Sequence, residues 1–565
     1  MLNSASEKIL SNVLALGAAF TTIFVISNSV TDPVNVPKLL SLGVTACAAF
    51  GAVIANSITS AMKVSRVVLA ACFLFLAFSL TSVLLSDSPI SQGIYGSYGR
   101  NNGFLAYLFL VILLIATMNL SQTESFKKVI FGFFFAGILN VIYCLWVIIF
   151  GDFIGWSNPY GNILGTLGNP NFIGAFLGMF IAAYFAYGIS SQSSRRFKYS
   201  MFVVLPVTAF EIVDSHAIQG RVVGAAGFAI VGFFYIRSNF KSSVLALYTL
   251  ASTVVGIFAL LGALQLGPLT SIIYKTSVSL RGQYWLAGWN TGQSHPFTGV
   301  GMDSFGDWYR RARDIHALTV PGVNTVVNAS HNVPIDMFAF GGWPLFISYL
   351  AIVAFGGLAL IKTIRRTKNF DPILVCLTTA WVGYQLQSVI SINQIGLAIW
   401  GWILSGSLIA YERATRLPKP GVTISAAKKS AGRKTDGNQP FAVMLAVFGG
   451  LVGLVVSLPP LASDSKWRSA QLAQSAPAIE ETMNSNYMNL QNSTKYLTNI
   501  QNLESSNLFE LSHKYALEAV LWNPESFELW KVLYLIKNSN PDEKELALEN
   551  MKRLDPLNPD VTSTK

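Results

Sequence analysis

Apolar runs long enough to cross a membrane recur from the N-terminus to about residue 460. A bilayer core requires roughly 20 apolar residues per helix, and short polar connections separate the runs. The pattern predicts thirteen spans, at residues 9–28, 37–57, 65–86, 103–120, 127–150, 171–189, 198–213, 219–236, 244–266, 332–361, 372–390, 393–411 and 440–460. The predicted fold class is therefore all-α, a polytopic transmembrane helical bundle.

The same pattern divides the chain into four parts. Residues 1–411 are predicted to form a transmembrane core, in which residues 267–331 make a large external loop. Residues 412–439, which include seven basic side chains, predict a flexible cytoplasmic linker. A last transmembrane helix is predicted at 440–460, and residues 461–565 are predicted to form an external α-helical tail.

The tail contains residues spaced as in two helix pairs about one tetratricopeptide period apart. They are Ala516, Ala519, Trp522, Asn523, Pro524, Trp530, Ala547, Leu554, Asp555 and Pro556. A tetratricopeptide-like tail and an ordinary helical bundle both fit this spacing. Either one is typical of a module that contacts a protein partner and not of a catalyst.

Composition agrees with a membrane protein and argues against a nucleic-acid partner. Hydrophobic residues make up 52% of the chain and charged residues 12%, which is too apolar a balance for soluble domains. The net charge of +11 comes from basic residues scattered through short loops. A continuous basic face, which a nucleic-acid-binding protein needs, is missing from the sequence.

The placement of the basic residues predicts the topology. Cytoplasmic loops carry an excess of Lys and Arg, and alternate loops of this chain hold nearly all of them. One basic residue, Arg100, occurs in the opposite short loops, which are 29–36, 87–102, 151–170, 214–218 and 391–392. We therefore expect a cytoplasmic N-terminus and an external C-terminus.

Unusual polar residues cluster on this predicted external side. They are Arg100, Asn169, Asn171, Arg221, Arg281, His331 and Asn332. Guanidinium groups at headgroup depth suit a diphosphate, because they bind its oxygens bidentately and stay charged. They would also stabilise a departing diphosphate electrostatically.

Two of the arginines have a structural alternative. Arg221 lies just inside an apolar span, where an unpaired guanidinium is costly, so that it either binds a ligand or extends to the lipid headgroups. Arg281 opens the segment Arg281-Gly282-Gln283-Tyr284-Trp285, which predicts an amphipathic helix at the membrane surface. There it either binds a ligand or anchors the helix.

His331 stands where the long loop re-enters the membrane, immediately before Asn332. An imidazole titrates near neutrality, and at this position it is placed to take a proton from an incoming hydroxyl group. A capping or hydrogen-bonding role is the alternative.

Neither a metal site nor a nucleotide site is expected. The histidines form no HxxH or HxxxH pair, and the acidic residues of the long loop are interspersed with arginines. The chain has no GxxxxGK[ST] motif and no GxGxxG motif that opens a soluble βαβ unit. No cofactor is therefore predicted, and the energy of a reaction is expected to come with its substrate.

In their order along the chain, these residues resemble the O-antigen ligase/polymerase family of bacterial membrane glycosyltransferases, which includes protein O-oligosaccharyltransferases. The resemblance spans roughly residues 80–410. The matching parts are Tyr98-Gly99-Arg100-Asn101-Asn102-Gly103, Gly168-Asn169-Pro170-Asn171, Gly220-Arg221, Arg281 with Trp285, His295-Pro296-Phe297-Thr298-Gly299-Val300-Gly301, Ser330-His331-Asn332 and Gly341-Gly342.

The resemblance implies a helical bundle in the bacterial cytoplasmic membrane that transfers a glycan from undecaprenyl diphosphate to an acceptor hydroxyl. It implies an inverting, metal-independent reaction, in which Arg221 and Arg281 hold the diphosphate and His331 is the general base. Arg100, Asn169, Asn171 and Asn332 are expected to bind substrate. Ligase, polymerase and protein-glycosylating activities all stay open, because they differ in the acceptor, which is a glycan, a lipid or a protein.

Two functions of other classes remain alternatives. An anion transporter would suit a cavity with charged walls, although the sequence shows no pair of inverted halves. A scaffold would use the tail to recruit protein partners and the spans as an anchor. Membrane lipids are expected partners in every case.

Overall fold

The computed structural model describes residues 4–57, 64–268, 270–274, 276–416 and 439–563. All regular elements in these ranges are helices and none is a strand, which confirms the predicted all-α class. Most of the predicted linker, residues 417–438, lies outside the described residues.

The helices up to the long loop are α1 (Ser4–Ile23), α2 (Asn35–Ser57), α3 (Arg66–Leu85), α4 (Ile90–Tyr95), α5 (Phe104–Thr117), α6 (Thr123–Phe150), α7 (Pro170–Gly188), α8 (Arg195–Asp214), α9 (Ile218–Asn239) and α10 (Ser242–Ala263). The long loop contains α11 (Thr270–Ile273), α12 (Thr276–Ser294) and α13 (Phe305–Ala312). The bundle is completed by α14 (Val333–Arg366), α15 (Pro372–Ile390), α16 (Ile395–Ala414) and α17 (Gln439–Ala473). The tail contains α18 (Ala476–Met483), α19 (Ser493–Ser505), α20 (Phe509–Trp522), α21 (Phe527–Leu535), α22 (Pro541–Leu554) and α23 (Pro559–Thr562).

Each of the predicted spans coincides with one helix, and the chain is a multi-pass membrane protein. Ten of the described helices are long and apolar enough to cross a membrane, namely α2, α3, α6, α7, α9, α10 and α14 to α17. Of the other three, α5 is apolar but only 14 residues long, and α1 and α8 contain more polar side chains. Ten of the thirteen predicted spans therefore correspond to helices that are long and apolar enough to cross a membrane, and the other three remain predictions.

The loops alternate between two ends of the bundle. At one end Asn102 Nδ2 donates to the carbonyl oxygen of Asn393 at 2.6 Å, which joins the predicted external loop 87–102 to the residue that follows the predicted external loop 391–392. At the other end Arg366 pairs with Glu412 at 2.5 Å, which joins two predicted cytoplasmic segments. This grouping agrees with the predicted topology, and the assignment of either end to the outside stays a prediction.

Helices α2 and α17 pack closely along their length. A Cβ atom on Gly449 would come within 2.2 Å of the Cys47 carbonyl oxygen, and one on Gly453 within 2.2 Å of the Gly43 carbonyl oxygen. Small residues four apart permit this approach of two backbones inside a membrane. Helix α17 then continues past residue 460 to Ala473, so that the predicted boundary between the last span and the tail lies inside one helix.

Helix α14 is interrupted near its start, where Gly342 has a φ of +65°. Backbone groups freed by an interruption need other partners in a membrane, and the long loop supplies them. Gly301 N donates to the Phe340 carbonyl oxygen at 3.2 Å, and Trp343 N donates to the Pro296 carbonyl oxygen at 2.8 Å. The loop is therefore fixed to the bundle at this point.

The tail has a core of its own and also packs on the long loop. Within it, α19 packs against α20 and α21 against α22. Arg310 of α13 forms ion pairs with Asp555, at 2.9 Å, and with Glu528, at 2.5 Å. A tetratricopeptide-like arrangement of the tail stays a prediction.

Candidate active site

Arg100 lies on the loop between α4 and α5, where its guanidinium is only partly bonded. Its Nη2 donates to Asn328 Oδ1 of the long loop, whereas its buried Nη1 has no partner among the described residues. Burial lowers the pKa of Arg100, and the carboxylates of Asp303 and Asp336 act in the opposite direction. Because buried donors are almost always bonded, the free Nη1 is available to a ligand.

Asp303 holds the loop that carries Arg100. Its Oδ2 accepts hydrogen bonds from Ser97 N at 2.9 Å and Asn102 N at 3.1 Å. Ser97 Oγ in turn donates to the Asp303 carbonyl oxygen at 2.9 Å. Burial raises the pKa of Asp303 to about 6, and the charge of Arg100 opposes that rise.

His331 lies within electrostatic reach of two guanidiniums. Burial lowers its pKa to about 3, with further lowering by Arg100 and then Arg281, so that the imidazole is neutral at pH 7. The ring packs against Tyr284, with 5.3 Å between the ring centroids. Trp285 Nε1 donates to the His331 carbonyl oxygen at 3.4 Å.

The two neighbours of His331 fix its backbone. Asp336 Oδ1 accepts from both Ser330 N and Ser330 Oγ, at 2.7 Å each. Asn332 caps the N-terminus of α14 by accepting from Ile335 N at 3.1 Å. The backbone of His331 has a φ of +59°, which non-glycine residues adopt rarely and at a cost, so these contacts hold a conformation that the chain would not otherwise favour.

Arg281 projects from α12, a helix packed against α14. The helix begins at Thr276, five residues before the predicted start. Burial lowers the pKa of Arg281, and no described carboxylate forms an ion pair with it. Arg281 thus combines burial with an unpaired charge, which in a protein usually marks a ligand site.

Arg221 lies in the first turn of α9, with an exposed side chain that donates to a backbone carbonyl of α8 at 3.3 Å. Two hydrogen bonds to the end of α15 connect helix α9 with the segment that contains His331. Gln219 Nε2 donates to the Ile390 carbonyl oxygen at 3.2 Å, and Asn332 Nδ2 donates to the Val389 carbonyl oxygen at 2.8 Å. The first turns of α9 and α14 therefore meet the same last turn of α15.

A cavity of about 630 Å³ opens at this end of the bundle. Arg100 and Asn169 line it, whereas Arg221, Arg281, His331 and Asn332 do not. The predicted residues therefore fall into two groups. Arg100 belongs to both, because it lines the cavity and its charge also lowers the pKa of His331.

Asn169 and Asn171 start helix α7 beside this cavity. Asn169 Oδ1 accepts from Asn171 N at 2.9 Å and caps the helix. Its Nδ2 donates to Tyr160 Oη at 3.1 Å. Asn171 contributes its backbone amide to the cap.

The arrangement offers guanidinium groups and a neutral imidazole at one end of a membrane bundle. Within the described ranges, no group of three or more His, Cys, Asp and Glu side chains is arranged to hold a metal ion. Such a set of groups is suited to binding an anion and to accepting a proton.

Residues 212–350 match the family model described as O-Antigen ligase. Over this segment the chain is similar to O-antigen ligases. This finding confirms the resemblance to the O-antigen ligase/polymerase family, and no curated protein matches the chain. The matched segment includes Arg221, Arg281, His331 and Asn332.

Several residues that support Arg100 or line the cavity were not predicted from the sequence. Asn328 and Asp303 lie inside the matched segment and support Arg100 from a distance of more than 200 residues. Gln394 and Arg468 line the cavity from beyond the matched segment. Asp303 lies two residues after Gly301, the end of the motif that begins at His295, and this proximity is the one signal in the sequence that favoured it.

Proposed function

We propose that this O-antigen ligase-like protein transfers a glycan from undecaprenyl diphosphate to an acceptor hydroxyl on the external face of the bacterial cytoplasmic membrane. The observation that carries the proposal is the neutral, partly buried imidazole of His331 within reach of the charges of Arg100 and Arg281. Arg281 forms no ion pair with a described residue, so its guanidinium is free to bind an anionic donor.

In the proposed reaction Arg221 and Arg281 bind the diphosphate of the donor. The acceptor oxygen attacks the anomeric carbon, and the bond from that carbon to the diphosphate oxygen breaks. The electron pair leaves with the diphosphate, whose growing charge the guanidiniums stabilise. The proton of the acceptor hydroxyl passes to the imidazole of His331, and a single displacement of this kind inverts the anomeric carbon.

Donor binding makes His331 a stronger base. Burial lowers the pKa of His331 to about 3, and the charges of Arg100 and Arg281 add to this lowering. A bound diphosphate brings negative charge next to the same imidazole and offsets their repulsion, so that the pKa rises. The general base therefore becomes effective when the donor is in place, which limits proton uptake in its absence.

The remaining assignments belong to the same proposal. The core at 1–411 performs glycan transfer, with Arg100, Asn169, Asn171 and Asn332 among its substrate-binding residues. The N-terminus is cytoplasmic, and the tail is external and available to a protein partner. Ligase activity is the first choice, with polymerase or protein O-oligosaccharyltransferase activity differing only in the acceptor.

Reconstitution of the full chain in liposomes, with a polyprenyl-diphosphate glycan and an acceptor glycolipid, tests the proposal. We expect His331→Ala, Arg221→Ala and Arg281→Ala each to lower the transfer rate by about 100-fold or more, the range of a lost general base or charge contact. A chelator should leave the rate unchanged. Arg196→Ala is the matched control, because Arg196 is exposed in the first turn of α8 at the opposite end.

Full activity in all three variants would remove the enzyme assignment. Uptake of an anionic solute by liposomes that lack an acceptor would favour a transporter instead. Loss of activity on chelation would contradict the metal-independent mechanism.

A further inference from the structure

The cavity of about 630 Å³ has walls from distant parts of the chain. They include the α1–α2 connection, the Arg100 loop, the segment before α7, the α15–α16 connection and, from α17, Arg468. Its volume lies within the roughly 300–1,000 Å³ that small-molecule sites occupy. Most of these walls precede or follow the segment 212–350 that matches the O-antigen ligase model.

Two buried hydrogen-bond donors at this cavity lack partners. Gln394 is 3% exposed, and its Oε1 accepts from Leu397 N at 3.1 Å, while its buried Nε2 has no partner among the described residues. The buried Nη1 of Arg100 likewise has no partner among the described residues. Because an unmet buried donor is costly, both atoms favour a ligand rich in acceptor oxygens.

The cavity also has unbalanced positive charge. Arg100 and Arg468 line it, and neither forms an ion pair with a described residue. Arg468 makes one long hydrogen bond, from Nε to the Asn28 carbonyl oxygen at 3.4 Å. The carboxylate of Asp32 is directed to its own turn, since its Oδ1 accepts from the backbone amides of residues 34 and 35 at 3.0 and 2.9 Å. An anionic group is therefore favoured.

The rest of the lining suits a sugar ring. Side-chain amides of Asn28, Asn169 and Asn328 can donate to and accept from hydroxyl groups. Trp156 adds an aromatic wall, and its Nε1 donates to Asp152 Oδ2 at 2.6 Å, which fixes the indole. An oriented indole among amides is suited to the C–H face and the hydroxyl edge of a saccharide.

We infer that this cavity binds a saccharide that carries a carboxylate or phosphate group, and that this saccharide is the acceptor. The identification as acceptor rests on the proposed function, whereas the binding itself does not. Arg100 lines the cavity, and its charge also reaches His331, the proposed general base. The anionic group lies at Arg468, and the hydroxyl groups meet Gln394 and the amides.

Equilibrium binding to the full chain in lipid nanodiscs tests this inference. The probes are methyl glucuronide, glucose 6-phosphate, methyl glucoside and inorganic phosphate. We expect the two charged sugars to bind at least about tenfold more tightly than either the neutral sugar or phosphate alone, as one charge-assisted contact provides. Arg468→Gln should remove about tenfold of that affinity, and the control Arg196→Gln none.

The outcomes separate the inference from the proposed function. His331→Ala and Arg221→Ala should lose transfer and keep charged-sugar binding. Failure of the charged sugars to bind the wild-type chain would overturn the inference, as would equal binding by Arg468→Gln or by phosphate alone. Displacement of the charged sugar by a polyprenyl-diphosphate glycan would assign the cavity to the donor and overturn its role as acceptor site.

Discussion

Arg313 and Asp555 form an ion pair in which neither side chain is exposed to solvent. Arg313 Nη2 lies 2.7 Å from Asp555 Oδ1 and 2.9 Å from Oδ2. The two residues are 242 positions apart and join the long loop to the tail. Because Arg310 also contacts Asp555, one carboxylate holds two arginines.

Replacement of Asp555 should therefore release the tail. Asp555→Ala leaves the buried guanidinium of Arg313 without a carboxylate and that of Arg310 with Glu528 alone, and removal of one partner from a buried pair costs roughly 3–5 kcal/mol. We expect a lower melting temperature and faster proteolysis between the bundle and the tail. Glu549→Ala is the control, because Glu549 is exposed on the same helix. Unchanged melting and cleavage would show that the pair does not hold the tail.

The lowered pKa of His331 predicts an unusual pH dependence. Since this pKa is about 3 before the donor binds, kcat/KM should show no inflection from His331 between about pH 5 and 7, because that parameter reports the free enzyme. The inflection in kcat should lie at higher pH, since the bound diphosphate raises the same pKa. Measurements of kcat and of kcat/KM as a function of pH test both expectations. An inflection of kcat/KM near pH 6.5 that disappears in His331→Gln would contradict the prediction.

Protonation of Asp303 should lower activity at acid pH independently of His331. Burial raises its pKa to about 6, so that it is ionised at pH 7 and becomes protonated as the pH falls through that value. The protonated carboxyl is a weaker acceptor for Ser97 N and Asn102 N, which loosens the Arg100 loop and lowers activity. In Asp303→Asn we expect a lower rate at pH 7 and no inflection near pH 6. Persistence of that inflection in the variant would exclude Asp303 as its source.

The interruption of α14 predicts a site that tolerates only glycine. In Gly342→Ala the added Cβ would lie 2.3 Å from the Pro296 carbonyl oxygen, at a φ of +65°. Strain of this kind costs roughly 1–3 kcal/mol, so we expect lower thermal stability and loss of transfer through displacement of the loop. Gly256→Ala, which meets no atom within 4 Å, should behave as wild type. Equal melting of the two variants would contradict this account.

The sequence predicted those parts of the fold that depend on local pattern. Apolar length placed each span on a helix, and the alternation of charge grouped the loops by end, because both signals are carried by neighbouring residues. The order of motifs also brought Arg221, Arg281 and His331 into one segment of the chain. The contacts of Gly341 and Gly342 with the segment after His295 were not predictable, although both motifs were visible.

Pairings across the chain carried no local signal. Nothing near Arg468 in the sequence indicates that it shares a cavity with Arg100. The acidic residues of the long loop were considered only as possible metal ligands, whereas Asp303 supports a backbone loop and Asp307 accepts from Asn523 of the tail at 3.2 Å. Such roles follow from tertiary packing of segments hundreds of residues apart.

Helix α17 continues from its exposed apolar stretch through Pro459 and Pro460 to Asp464. The Oδ2 of Asp464 accepts from Thr31 N at 2.8 Å and its Oδ1 accepts from Tyr98 Oη at 3.0 Å. Bilayers of different thickness change the tilt of a helix. A change of tilt here moves Asp464 together with the turn and the loop that it holds. We therefore expect the thickness of the surrounding membrane to affect the position of the Arg100 loop, so that the choice of lipid belongs among the variables of every assay.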